Sequence, residues 1–214
     1  VPAAPLLVEF HHVAARIGAT TILRDLDLAI RPGESLGVFG ANGAGKTTLL
    51  RVIATLLRPR AGTARVFGVD ITGDGRFDIR SRLGMIGHRP ALYPELTLQE
   101  NLEFAARLAG VPLPAAGTAL GAVGLARAAH RTAGAASYGM QRRVEFAREI
   151  MLGPDLLLLD EPHSALDPAA VELVEHIVAG VLERGGAAVL VSHDLDRVAP
   201  VVSRTVEMAG GTLR

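Results

Sequence analysis

The chain has 214 residues, no net formal charge from 22 basic and 22 acidic side chains, no cysteine, and 49% hydrophobic but only 4% aromatic residues. That length suits one compact α/β core filled by aliphatic side chains; the neutral balance removes any global field toward nucleic acid or an anionic membrane, and the absence of cysteine removes disulfides and thiolate metal sites. No stretch reaches the ~18 consecutive apolar residues of a membrane span, so a soluble chain is expected, and Pro2 to Leu7 lacks the charged head and apolar run of an export signal.

From Leu6 to Ile30 short apolar stretches alternate with polar breaks, predicting strands of a small sheet, and Arg31-Pro32-Gly33-Glu34 turns into a buried strand, Ser35 to Phe39. Gly40 to Gly45 leads into a helix from Lys46 to Leu57, with Leu49, Leu50, Ile53, Leu56 and Leu57 at helical spacing. A turn and strand follow over Pro59 to Gly68, a short helix over Ile71 to Leu83, and a strand over Gly84 to Gly87. Leu98 to Ala109 reads as a helix, Val111 to Ala136 as a looser stretch rich in Ala, Gly and Pro, and Met140 to Leu152 as a further helix. Asp155 to Leu159 is a fully buried strand, Ala169 to Arg184 a helix, and Ala187 to Ser192 a second buried strand. A short helix and a hairpin turning at Gly210-Gly211 close the chain. This order predicts a parallel-sheet core with an N-terminal antiparallel β subdomain (1–88 and 152–214), interrupted by a helical subdomain at 89–151.

Gly40-Ala41-Asn42-Gly43-Ala44-Gly45-Lys46-Thr47 matches GxxxxGK[ST] between a predicted strand and a predicted helix. Glycines there let successive N–H groups point at anionic oxygens, aided by the helix N-terminus. Lys46 is expected on the β and γ phosphates, the Thr47 hydroxyl on Mg²⁺, and Thr48 near the α phosphate; the bland alternative is a glycine-rich turn that binds nothing. Lys46 is also the single lysine among the 22 basic residues. Either composition bias explains that, or a compact ammonium is needed where arginine would not serve. Leu156 to Leu159 runs into Asp160 and Glu161, two carboxylates at the C-terminal end of a buried strand, where open α/β sheets place ligands. Neighbours on a strand point to opposite faces, so Asp160 is expected to anchor Mg²⁺ and Glu161 to polarise an attacking water.

Ser137-Tyr138-Gly139-Met140 before Gln141-Arg142-Arg143 resembles the signature of ABC ATPases. Ser164-Ala165-Leu166-Asp167 resembles the loop after their catalytic glutamate, and Ser192-His193-Asp194 their switch-histidine loop. The resemblance covers nearly the whole chain and implies a P-loop NTPase with a RecA-like parallel-sheet core that hydrolyses ATP with Mg²⁺. It further implies a head-to-tail homodimer in the ATP-bound state, in which the signature residues Ser137 and Gly139 complete the other subunit's site, and it implies that Asp167 binds nucleotide and that His193 touches the γ phosphate. A membrane-spanning partner subunit and a peripheral location on the inner face of the cell membrane also follow from it. From the residues alone, Ser137 could equally be an ordinary N-cap and His193 a solvated loop histidine.

Three positions depart from the family pattern. Ile17 stands where an aromatic usually stacks on adenine. Tyr138 stands where glycine is commonest, with Ala136 in place of leucine. His88, in Ile86-Gly87-His88-Arg89-Pro90, replaces the loop glutamine, either to ligate Mg²⁺-bound water or merely to fill the loop. That loop, with Leu92 to Thr97 and Glu100-Asn101-Leu102-Glu103-Phe104, is similar to the ATPase subunits of bacterial haem exporters in cytochrome c maturation, which implies haem as cargo. Another exporter's ATPase, for drugs, lipids or polysaccharide, and a soluble ABC protein without transport are the competing expectations.

Overall fold

The structure is a computed structural model that describes residues 5–163 and 168–214. Its elements in chain order are β1 (Val8–Ile17), β2 (Thr20–Ile30), β3 (Ser35–Phe39), α1 (Lys46–Ile53), β4 (Ala61–Val66), β5 (Val69–Asp70), β6 (Leu83–Ile86), α2 (Leu98–Ala109) and α3 (Pro114–Ala122). They continue with α4 (Tyr138–Leu152), β7 (Leu156–Asp160), α5 (Pro168–Glu183), β8 (Ala187–Ser192), α6 (Leu195–Val198), β9 (Arg204–Ala209) and β10 (Thr212–Leu213). Among the described residues, 5–85, 154–162 and 178–214 form one compact unit, and 86–153, 163 and 168–177 a second.

The described residues form two sheets, a small one of order β2-β1-β4-β5 and a large one of order β10-β9-β3-β8-β7-β6. In the large sheet β3 runs parallel to both β8 and β9, and β7 parallel to β8. Every residue of β7 and β8 is buried, which is why both strands read as unbroken apolar runs rather than alternating ones. Helix α1 touches β7 and β8 of this sheet and β1 and β2 of the small one. Leu49, Leu50, Val52 and Ile53 are fully buried. Each such side chain contributes at most about 1.5–3 kcal/mol relative to exposure, so α1 is tied firmly between its neighbours.

Helix α1 ends at Ile53, four residues short of the expected Leu57. Thr55 is left-handed (φ 61), and the Arg80 guanidinium donates to its hydroxyl and its carbonyl, both at 2.9 Å; Leu56 is left 61% exposed. The helix expected over Ile71 to Leu83 is two single 3-10 turns, Asp74–Phe77 and Arg80–Arg82. The C-terminal hairpin forms as expected, but its first strand, β9, also joins β3 inside the large sheet.

In the second unit α2, α3 and α4 pack against one another. A capping box fixes the start of α2: the Thr97 hydroxyl accepts from Glu100 N at 3.1 Å while the Glu100 carboxylate accepts from Thr97 N at 2.8 Å. The bond from Thr97 N, with the Thr97 hydroxyl beside it, holds the Glu100 carboxyl below its ordinary pKa. The stretch read as loose contains α3, started by Pro114 in its first turn. Among the described residues, no helix is long and apolar enough to cross a membrane.

Candidate active site

The loop between β3 and α1 is built for close approach. Gly40 has φ 151, and a Cβ there would lie 2.2 Å from the carbonyl oxygen of Met208 on β9. Gly43 and Gly45 also have positive φ, at 81° and 113°. Gly211 N donates to Ala44 O at 3.1 Å, so the β9–β10 hairpin braces the loop from behind. No side chain caps the N-terminus of α1 and no acidic residue sits in its first turn, an arrangement that favours an anion at that end. Lys46, 7% exposed, donates from Nζ to Gly40 O at 2.6 Å and to Ala41 O at 3.1 Å. Its charge is therefore held inside the loop formed by Gly40, Ala41, Asn42, Gly43, Ala44 and Gly45.

Thr47 and Asp160, two of the three residues read from sequence at the Mg²⁺ site, lie 113 positions apart and meet: Thr47 Oγ1 donates to Asp160 Oδ2 at 2.9 Å. Thr48, one position on, is buried. Among the described residues no group of three or more His, Cys, Asp or Glu gathers to hold a metal alone. A two-oxygen pair beside an anion site nevertheless fits Mg²⁺, which takes one or two protein oxygens and draws the rest of its octahedron from phosphate and water.

Glu161 follows Asp160 in a left-handed conformation (φ 51), rare for a residue with a Cβ and a form of backbone strain that concentrates at functional sites. Its amide donates to Val191 O at 2.9 Å, turning its carboxylate toward the end of β8. One carboxylate oxygen accepts from His193 N at 2.9 Å and faces His193 Nδ1 at 3.0 Å; the other accepts from Ser192 Oγ at 3.1 Å. The Glu161 side chain is 15% exposed and that of His193 60%. Ser192, 2% exposed, also accepts from Asp194 N at 3.1 Å. Sequence reading quoted Ser192 only as the flank of His193 and gave it no role; its place as the last residue of a buried strand was the available signal. Asp167 and the rest of Ser164-Ala165-Leu166-Asp167 lie outside the described residues.

In the second unit Ser137 is the N-cap of α4, its hydroxyl accepting from Met140 N at 3.3 Å. Gly139 sits in the first turn, and no atom lies within 4 Å of where its Cβ would be. Tyr138 Oη donates to the main-chain oxygen of His88 at 2.8 Å, so two of the departures from the family pattern are bonded to each other. Gln141 donates to Ala133 O and Ala136 O at 2.8 and 3.2 Å, fixing the approach to α4. Asn101, a further residue that sequence reading left without a role, exchanges bonds with the main chain of Tyr93 and donates to Leu96 O and Thr97 O.

Residues 23–164 match the model of the ABC transporter family. The chain is 42% identical over 195 residues to the cytochrome c biogenesis ATP-binding export protein CcmA of Bordetella bronchiseptica, covering 89% of this chain and 84% of that one. It is 38% identical over 189 residues to the daunorubicin/doxorubicin resistance ATP-binding protein DrrA of Streptomyces peucetius, covering 86% of this chain and 57% of that one. Its fold superposes with a TM-score of 0.87, at 27% identity and covering 97% of this chain and 96% of the other, on an ATP-binding cassette whose dimeric post-hydrolysis structure holds ADP and Pi.

Proposed function

Because this chain belongs to the ABC transporter family, we propose that it hydrolyses Mg²⁺-ATP to move haem, or a related cargo of cytochrome c maturation, through a membrane-spanning partner subunit. The chain is an ATP-binding subunit and an ATPase of that family. The observation that carries the site assignment is the contact of Thr47 with Asp160, 2.9 Å, beside the uncapped N-terminus of α1.

In this reading the loop N–H groups and Lys46 hold the β and γ phosphates, Thr48 lies by the α phosphate, and Thr47 and Asp160 hold Mg²⁺. When bound, Mg²⁺ neutralises charge on the β and γ oxygens. Glu161 orients and deprotonates the water that attacks the γ phosphorus, the bond to the bridging oxygen breaks, and ADP and phosphate leave. Ser192 and the main-chain N–H of His193 position the Glu161 carboxylate, and the His193 ring also gives the γ phosphate a donor. Ser137 and Gly139 complete the site of a second copy in an ATP-bound homodimer, Asp167 binds nucleotide, and His88 either ligates Mg²⁺-bound water or fills its loop. The working location is the inner face of the cell membrane, through the partner.

Haem is supported by the 42% identity to CcmA; the 38% identity to DrrA supports a drug exporter as the second reading. The test is to purify the chain with its membrane subunit and measure ATP hydrolysis with haem and with an anthracycline. Stimulation by haem alone supports the first reading, and stimulation by the drug alone replaces it with the second.

A further inference from the structure

Residues 87–91 carry no helix or strand, yet side chains of one helix hold their main chain at three points. Tyr138 Oη donates to His88 O at 2.8 Å, the Arg142 guanidinium donates to Gly87 O, and Ala91 N donates to Glu145 Oε1 at 3.0 Å. Positions 138, 142 and 145 follow the i, i+4, i+7 spacing that places side chains on one helix face. Arg142 and Glu145 pair at 3.1 Å with 1% exposure each, whereas Tyr138 is 39% exposed.

We infer that Tyr138 is a positioning residue whose hydroxyl latches the 87–91 loop to the N-terminus of α4, so that a displacement of that loop is passed to Ser137 and Gly139. The buried Arg142–Glu145 pair is the permanent part of this clamp, because separating it would strand charge away from water. The Tyr138 bond competes with solvent and opens at little cost, which makes it the adjustable part. All three contacts end on main-chain atoms, so the latch depends on the residue at 138 and not on the side chain at 88. The inference rests on the reading that Ser137 and Gly139 serve ATP, and its test separates the two.

Amide hydrogen exchange is followed on the full chain for wild type, Tyr138→Phe and His88→Ala. The Ala91 amide, bonded to Glu145, reports whether the clamp is closed. In Tyr138→Phe its exchange should quicken about two- to tenfold, the factor set by one net hydrogen bond, while His88→Ala and helix α2 stay at wild-type rates. kcat should fall by a similar factor in Tyr138→Phe, with ATP affinity at the phosphate loop unchanged. Unchanged exchange at Ala91 in Tyr138→Phe, or equal quickening in His88→Ala, overturns the latch. Faster exchange with unaltered kcat overturns the positioning role. A wild-type chain that hydrolyses no ATP overturns the site reading, and the exchange rates then still decide the latch by themselves.

Discussion

Replacing Gly40 by alanine confronts the phosphate loop with two separable penalties. The new Cβ would lie 2.2 Å from Met208 O, a main-chain atom on a strand inside the large sheet that has no freedom to retreat, and φ stays at 151°. Holding a residue with a Cβ in a sparsely populated backbone region costs about 1–3 kcal/mol, and forcing an atom into filled space about another 1–3 kcal/mol. Gly43→Ala keeps only the first penalty, since Gly43 has φ 81 but nothing within 4 Å of its Cβ position. Thermal unfolding of both variants, with nucleotide titration alongside, separates the terms. Gly40→Ala should unfold several degrees below Gly43→Ala, since each kcal/mol moves Tm by roughly 2–4 °C in a chain of this size, and it should bind ATP more weakly than wild type. A Gly40→Ala protein as stable as Gly43→Ala, with wild-type ATP affinity, would refute the argument that the β9–β10 hairpin shapes the loop.

Two pH-linked outcomes follow from groups outside the site. His12 Nδ1 lies 2.6 Å from Asp25 Oδ1, and that hydrogen bond, with the charges of Asp25 and Asp27, raises the imidazole pKa. A raised histidine stabilises the folded state fully below its unfolded pKa and loses that contribution as pH rises through the folded value; Asp25→Asn should return the His12 titration, followed by NMR, toward the ordinary range, and an unmoved titration would discard the pairing. Glu149 is 3% exposed, and burial raises its pKa despite Arg148 at 3.0 Å. A carboxyl with a raised folded pKa destabilises the fold as pH climbs above its unfolded value. Glu149→Gln should therefore gain in denaturant midpoint relative to wild type between pH 5 and pH 8, and a wild-type advantage that widens with pH contradicts this.

What could be read in the sequence is what local chemistry encodes. The strand, glycine loop and start of α1 carry their own pattern, Leu156 to Leu159 and Ala187 to Ser192 are apolar without interruption, and Leu98 to Ala109 has a polar cap ahead of a periodic apolar face. The end of α1 was hidden because Arg80, 25 residues downstream, captures Thr55. Helix α3 was hidden because small apolar residues surround it on every side and give no amphipathic period. The place of β9 beside β3 was hidden because Arg204 and Thr205 are exposed there, so the strand lacks an unbroken apolar run. At the site, residue types named the chemistry but not the partners. Thr47 finds Asp160 across 113 positions, and Glu161 finds Ser192 and His193 across 31 and 32. The contacts of Tyr138 and Asn101 with main-chain atoms carry no residue-type signature at their other end.

The central claim, that the Glu161 carboxylate at the end of β7 drives ATP hydrolysis at the phosphate loop, is tested most directly by phosphate release from Glu161→Gln beside wild type, with ATP binding measured on both. Glutamine keeps one oxygen to accept from the His193 amide but cannot take the proton of the attacking water. Binding should persist while turnover drops by about 10²–10⁴-fold, the usual contribution of a positioned base. Turnover within a few-fold of wild type at full ATP occupancy would contradict the assignment of Glu161 and with it this account of the site.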